Sequence, residues 1–163
     1  MVQRTPAATA ALYEADETAW LEATADLIRS GRLTEVDLNT LAEYLTDMAK
    51  RDRREVFSRL VVLLSHLLKW EHQPDQRPRS WRGTILEQQR ELRQLLESGT
   101  LRNHALAVFA EAYADARKQA AAETGLPRSA YPEECRWNLD SALADWDENA
   151  APGTFSGGDG THT

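Results

Sequence analysis

The chain has one cysteine in 163 residues, Cys135, which excludes an internal disulfide and any zinc site built from cysteines alone. Its unbroken apolar runs, Leu60–Leu64 among them, fall far short of the ~20 residues a membrane-spanning helix needs, so no membrane partner is expected. The segment Met1-Val-Gln-Arg-Thr-Pro-Ala has no apolar centre and does not read as a signal peptide. Alternating Val/Ile/Thr runs bounded by hairpin turns are missing, and with them the signature of a β-sheet. A glycine-rich phosphate loop and a Gly-x-Ser-x-Gly elbow are missing too, which removes the commonest phosphoryl- and acyl-transfer signatures. What remains is an ordinary globular composition, 42% apolar and 28% charged, read as a soluble cytoplasmic protein.

Positive charge is scarce except in the middle. Residues 1–49 hold three Arg or Lys against nine Asp or Glu, a net −6. Residues 50–93 hold eleven against six, a net +5, and residues 94–163 five against eleven, a net −6. A basic centre between acidic flanks reads either as an exposed patch for an anion or as internal complementarity, and the second is favoured because folding brings the segments together. The total of −7 opposes general nucleic-acid binding.

Helix signals fill the chain. Asp16 is a good cap for a first helix with Trp20, Thr24, Leu27 and Ile28 on one face, and Gly31 is its stop. Thr34-Glu-Val-Asp37 opens a second helix as a capping box with Asp in place of Glu. From Leu38 through Leu41, Leu45, Val56, Leu60 and Leu64 to Leu67 the apolar phase holds at ~100° per residue, straight through Lys50-Arg-Asp-Arg-Arg-Glu55. One long helix is therefore expected, either bent near Ala49–Arg54, or elongated, or covered by a partner. Pro74 and Pro78 bracket a connection, Ser80 caps a third helix that Gly99 ends, and a fourth runs from Leu101 to Thr124 before Gly125. Its stripe of Leu101, Ala105, Val108, Ala112, Ala116 and Ala120 lets a neighbour approach closely. A short helix follows from Asn138 to about Trp146. The expectation is all-α: a single helical bundle domain over 1–150, with four main helices and a short C-terminal one, and a disordered polar tail over 151–163.

The densest chemistry lies between Leu63 and Arg82, which holds two histidines, two tryptophans and three arginines. His66 and His72 stand ~240° apart on a helix and do not face one site. The residues three before His66, His72 and His104 are Leu63, Lys69 and Leu101, so a Glu-x-x-His di-iron pair is absent. Neither a metal nor a cofactor is expected. Three function classes follow. The favoured one is a small interaction or regulatory protein whose partner is another protein or a second copy of itself, with His66, Trp70 and Trp81 in or against the core. The alternative is a nucleic-acid-associated protein in which Arg53, Arg54, Arg77, Arg79 and Arg82 hold phosphates and Trp81 stacks a base. The third is a hydrolase using the i, i+4 carboxylates Glu43 and Asp47 with His66 and Trp70 lining a pocket. Cys135, between Glu134 and Arg136, reads as structural rather than nucleophilic.

The stretch LLSHLLKWEHQPDQRPRSWRGTILEQQR also resembles a signature of the bacterial domain-of-unknown-function family number twenty-nine. Further blocks carry the same resemblance: Tyr13, Asp16 and Trp20; Arg29-Ser-Gly31-Arg-Leu33; Leu38 to Met48; Ala112-Tyr113; Glu123-Thr-Gly-Leu-Pro127; and Tyr131-Pro-Glu-Glu-Cys135. It covers Leu12 to Trp146. Tyr44 departs from the family's usual acidic residue and Arg136 from its usual proline. The resemblance implies an all-helical cytoplasmic protein and implies no activity.

Overall fold

The computed structural model describes residues 6–145. Among these there are six α-helices and no strand: α1 (Pro6–Ala15), α2 (Glu17–Arg29), α3 (Leu38–His72), α4 (Arg79–Leu95), α5 (Gly99–Thr124) and α6 (Leu139–Leu143), with 3₁₀ turns at Leu33–Glu35 and Arg128–Ala130. The all-helical expectation holds, and α3 runs unbroken through the charged segment 50–55. The chain divides into two compact units between Arg51 and Asp52. The polar tail expected over 151–163 lies outside the described residues, and the last helix ends at Leu143, short of the expected Trp146, with Ala144 already extended.

In the N-terminal unit, Asp16 caps α2 as expected, its carboxylate accepting from Ala19 N at 3.0 Å. Helix α1 went unread because its alanine-rich segment has high helix propensity but no apolar period. It brings Tyr13 edge-on to Trp20, ring centroids 4.9 Å apart, and Tyr44 of α3 closes on the same indole at 5.7 Å. Trp20 is fully buried. Two expectations need correction. Ile28 is exposed rather than inward, one residue before α2 ends at Arg29. Thr34 does not cap α3: residues 33–35 form a 3₁₀ turn, and Asp37 takes the role, accepting from Thr40 N at 3.1 Å and Thr40 Oγ1 at 2.7 Å.

In the second unit, α3 contributes Val56, Leu60, Leu63, Leu64, Leu67 and Leu68 to a core completed by Ile85 and Leu92 of α4, Ala105, Ala112, Ala116 and Ala120 of α5, and Leu139, Ala142 and Leu143 of α6. The alanine stripe is inward as read, with Leu101 and Val108 half-buried at its edge. Ser80 is not a cap: Pro78 occupies the N-cap position of α4 with no side-chain bond, and Ser80 lies inside the first turn. Gly99 begins α5 rather than ending α4, with Ser98 Oγ accepting from Leu101 N at 3.4 Å. Helix α6 is too short to stand alone. A reciprocal Asn138–Ser141 capping box starts it, and Gln89 Nε2 donates to the carbonyls of Ala142 (2.9 Å) and Ala144 (3.0 Å) at its far end.

Two glycines give opposite expectations. Gly125 closes α5 in the left-handed region at φ +72°. A methyl there meets nothing within 4 Å, so Gly125→Ala should cost only the backbone term, about 1–2 kcal/mol. Gly83 lies within α4 and is equally unobstructed, so Gly83→Ala should gain about 0.5–1 kcal/mol. Urea midpoints at constant m-value read both signs; a neutral Gly125→Ala would contradict the left-handed cap.

Candidate functional site

The polar residues of the second unit gather in three places. The first is the stretch 63–82. Lys69 falls in an apolar run of α3, only 2% exposed, with its ammonium bonded to the Glu123 carboxylate at the end of α5 and lying 4.8 Å from the Trp81 ring centroid. His66, one turn earlier, donates from Nδ1 to the Val62 carbonyl at 2.8 Å and presents Nε2 to Lys69 Nζ at 3.4 Å. Both contacts are satisfied together only by the neutral ring with its proton on Nδ1. Burial pushes the His66 pKa down and the Lys69 charge adds to that, against the Val62 carbonyl and Glu123. Burial pushes the Glu123 carboxyl up, but hydrogen bonds from Lys69 and Gln119 and the facing positive charge together hold it below its usual range. Trp70 and Trp81 are half-buried rather than enclosed. Trp70 packs against the core and carries Arg77 over its outer face at 4.9 Å, while Arg77 Nε also donates to the Trp70 carbonyl at 2.8 Å. Each ring is thus half-buried with a cation over one face.

The second place is the proline-punctuated segment after α5. Tyr113 donates its hydroxyl to the Pro132 carbonyl at 2.8 Å, and Arg117, one turn on, donates to the Tyr131 carbonyl at 2.9 Å through Nη2 and 3.2 Å through Nε. Burial, with the Cys135 and Glu71 charges nearby, pushes the Tyr113 pKa up to about 12. Arg136 pairs with Glu71, whose Oε2 is buried without a hydrogen-bond partner. Burial also pushes the Cys135 thiol up, away from the thiolate a nucleophile needs. Tyr131-Pro-Glu-Glu-Cys135 is thus a strap fastened to α5 through its carbonyls.

The third place is a groove of about 320 Å³ lined by Arg53, Arg54, Phe57 and Ser58 of α3 and His104, Val108 and Glu111 of α5. Among the described residues, the side chains of Arg54, Ser58, His104 and Glu111 make no hydrogen bond or ion pair. Reading the sequence paired Arg53 and Arg54 with Arg77, Arg79, Arg82 and Trp81. Arg53 and Arg54 line the groove, Arg77 lies over Trp70, Lys69 covers Trp81, and Arg79 and Arg82 are exposed on the first turn of α4. Glu43 and Asp47 are exposed and belong to the N-terminal unit, whereas His66 and Trp70 belong to the second. Among the described residues no three His, Cys, Asp or Glu side chains cluster as a metal site requires. Sequence reasoning missed the Lys69–Glu123 pair, and it weighed His104 and Glu111 without bringing them together with Arg53 and Arg54. A lysine inside the run Leu63–Trp70 was the available signal for the first.

The His66–Lys69 contact generates a pH dependence. Stability contributed by the neutral ring is present above about pH 6.5, the unfolded value, and is lost as pH falls through the depressed folded value. Protonation then places a second cation 3.4 Å from the Lys69 ammonium. Acidification from about pH 7 to pH 5 should lower the melting temperature of the wild type more than that of His66→Gln. Parallel profiles for the two proteins would remove His66 from the titration.

No helix among the described residues is long and apolar enough to cross a membrane. No curated protein and no solved structure matches the chain. The family model described as "Domain of unknown function DUF29" matches residues 12–147, running from the aromatic cluster around Trp20 through the Lys69 pair to the strap and α6, and the chain belongs to that family.

Proposed function

We propose that this protein is a cytoplasmic helical interaction module whose N-terminal unit pairs with a second copy through the first half of α3. The observation that carries the reading is the exposure of two large apolar side chains on one seam, Leu38 at 65% and Leu45 at 59%. With Leu41 and Met48, both half-buried, they follow the 3-4-3 spacing of a coiled-coil stripe. Ala42 and Ala49 flank that stripe and are small enough for a partner helix to approach closely. Tyr44, on its other flank, turns to Trp20 instead. Glu43 and Asp47 lie on the far side of the helix from the seam, so pairing leaves both carboxylates in water. The nucleic-acid reading ranks second, since Arg77 is engaged by Trp70 and the net charge is −7. The hydrolase reading ranks last, since Glu43 and Asp47 stand in a different unit from His66.

A two-fold interface of this kind should bury at least ~1,000 Å² with Leu and Met at its centre. Sedimentation equilibrium at micromolar concentration and moderate salt should give a two-chain mass. Leu38→Glu with Leu45→Glu should give one chain with the helical signal unchanged, because both positions are exposed. Added salt should strengthen the wild-type association, because segment 1–49 carries a net −6 and two copies repel. A wild type that sediments as one chain under these conditions would overturn the proposal.

A further inference from the structure

The groove of the second unit is polarised along its length. Helices α3 and α5 run in the same direction on either side of it: Lys69 meets Glu123 near their C-terminal ends, while Arg53 to Ser58 and His104 to Glu111 line the groove nearer their N-terminal ends. His104, Val108 and Glu111 follow i, i+4, i+7 spacing and so share one face of α5, with about 10 Å of helix rise between the histidine and the carboxylate. One end of the groove is therefore cationic, made by Arg53 and Arg54 beside His104. The middle is apolar, made by Phe57 and Val108. The far end is anionic, made by Glu111 beside the hydroxyl-bearing Ser58. The side chains of Arg54, Ser58, His104 and Glu111 leave one another unsatisfied across an apolar floor.

We propose that this groove binds a short hydrocarbon chain bearing a carboxylate at one end and an ammonium at the other, an ω-amino acid in its zwitterionic form. The Arg54 guanidinium, with Arg53 beside it, holds the carboxylate, for which its forked donors are suited. Glu111 accepts from the ammonium. Phe57 and Val108 cover the methylenes, which gain from leaving water. The hydrocarbon body is chosen over a peptide body because a peptide group laid on those two side chains loses its hydrogen bonds to water and finds none in return. Either charge alone pairs with one end of the groove and leaves the other as it was, so recognition depends on both. The inference concerns the second unit only and is independent of self-association.

The test is a ¹H–¹⁵N titration of the full chain with 6-aminohexanoate, hexanoate, hexylamine and dialanine. Backbone amides of residues 53–58 and 104–111 should shift with 6-aminohexanoate, and each of the other three should bind at least about tenfold more weakly. Arg54→Gln should abolish the preference for 6-aminohexanoate over hexylamine, and Glu111→Gln the preference over hexanoate; both positions are exposed, and both variants should keep the wild-type melting temperature. Equal binding of hexanoate and 6-aminohexanoate to the wild type would overturn the proposal without any variant. So would equal binding of dialanine, or an absence of shifts in these two segments at millimolar ligand.

Discussion

The second unit depends on one apolar core shared by its four helices. Four alanines of α5, Ala105, Ala112, Ala116 and Ala120, and Val56, Leu60, Leu63 and Leu64 of α3 belong to it with no exposed surface. A side chain larger than alanine on that stripe would push the two helices apart, and interiors packed this densely resist even one added methylene. The filled seam leaves polar chemistry at its margins. The Lys69–Glu123 pair lies near one end of the two helices and the groove from Arg53 to Glu111 towards the other.

The same packing explains why a lysine is buried here. A leucine at position 69 would fill the space of the lysine methylenes and leave the Glu123 carboxylate without its partner. Lysine instead passes its methylenes along the core and delivers its charge to a carboxylate and a ring face at the rim. Removing the carboxylate would leave the ammonium 2% exposed and facing only His66 and Trp81. A buried cation without its partner costs far more than the pair contributes, so the arrangement gives specificity of register to α3, α4 and α5 more than stability.

Periodicity reports which face of a helix is covered, and it correctly placed the α3 core from Val56 to Leu67, the alanine stripe and the Gly125 stop. It does not report what terminates a helix when several capping residues crowd together. Thr34 and Asp37 both offered a cap, and the 3₁₀ turn at Leu33–Glu35 decided for Asp37. Ser80 and Pro78 competed similarly, and proline's fixed backbone won the position before α4. Charge segregation indicated internal pairing, and Lys69–Glu123 and Arg93–Asp145 do join the basic middle to the acidic end. The groove was not legible because its members are fifty residues apart, and only the parallel run of α3 and α5 brings Arg54 and Glu111 to one surface.

The tryptophans show why burial alone separates the function classes poorly. Trp70 and Trp81 were expected either enclosed by core or open among arginines. Each is instead half-buried with a cation over one face, Arg77 and Lys69 respectively. A ring so placed has one π-face occupied by a cation, which a nucleobase on that same face would have to displace before stacking. For Lys69 that displacement would also break its ion pair with Glu123. Arg53 and Arg54 avoid this conflict, since they line a groove whose apolar floor is formed by other residues. The groove proposed above as a carboxylate site therefore draws on Arg54 rather than on the arginine that covers Trp70.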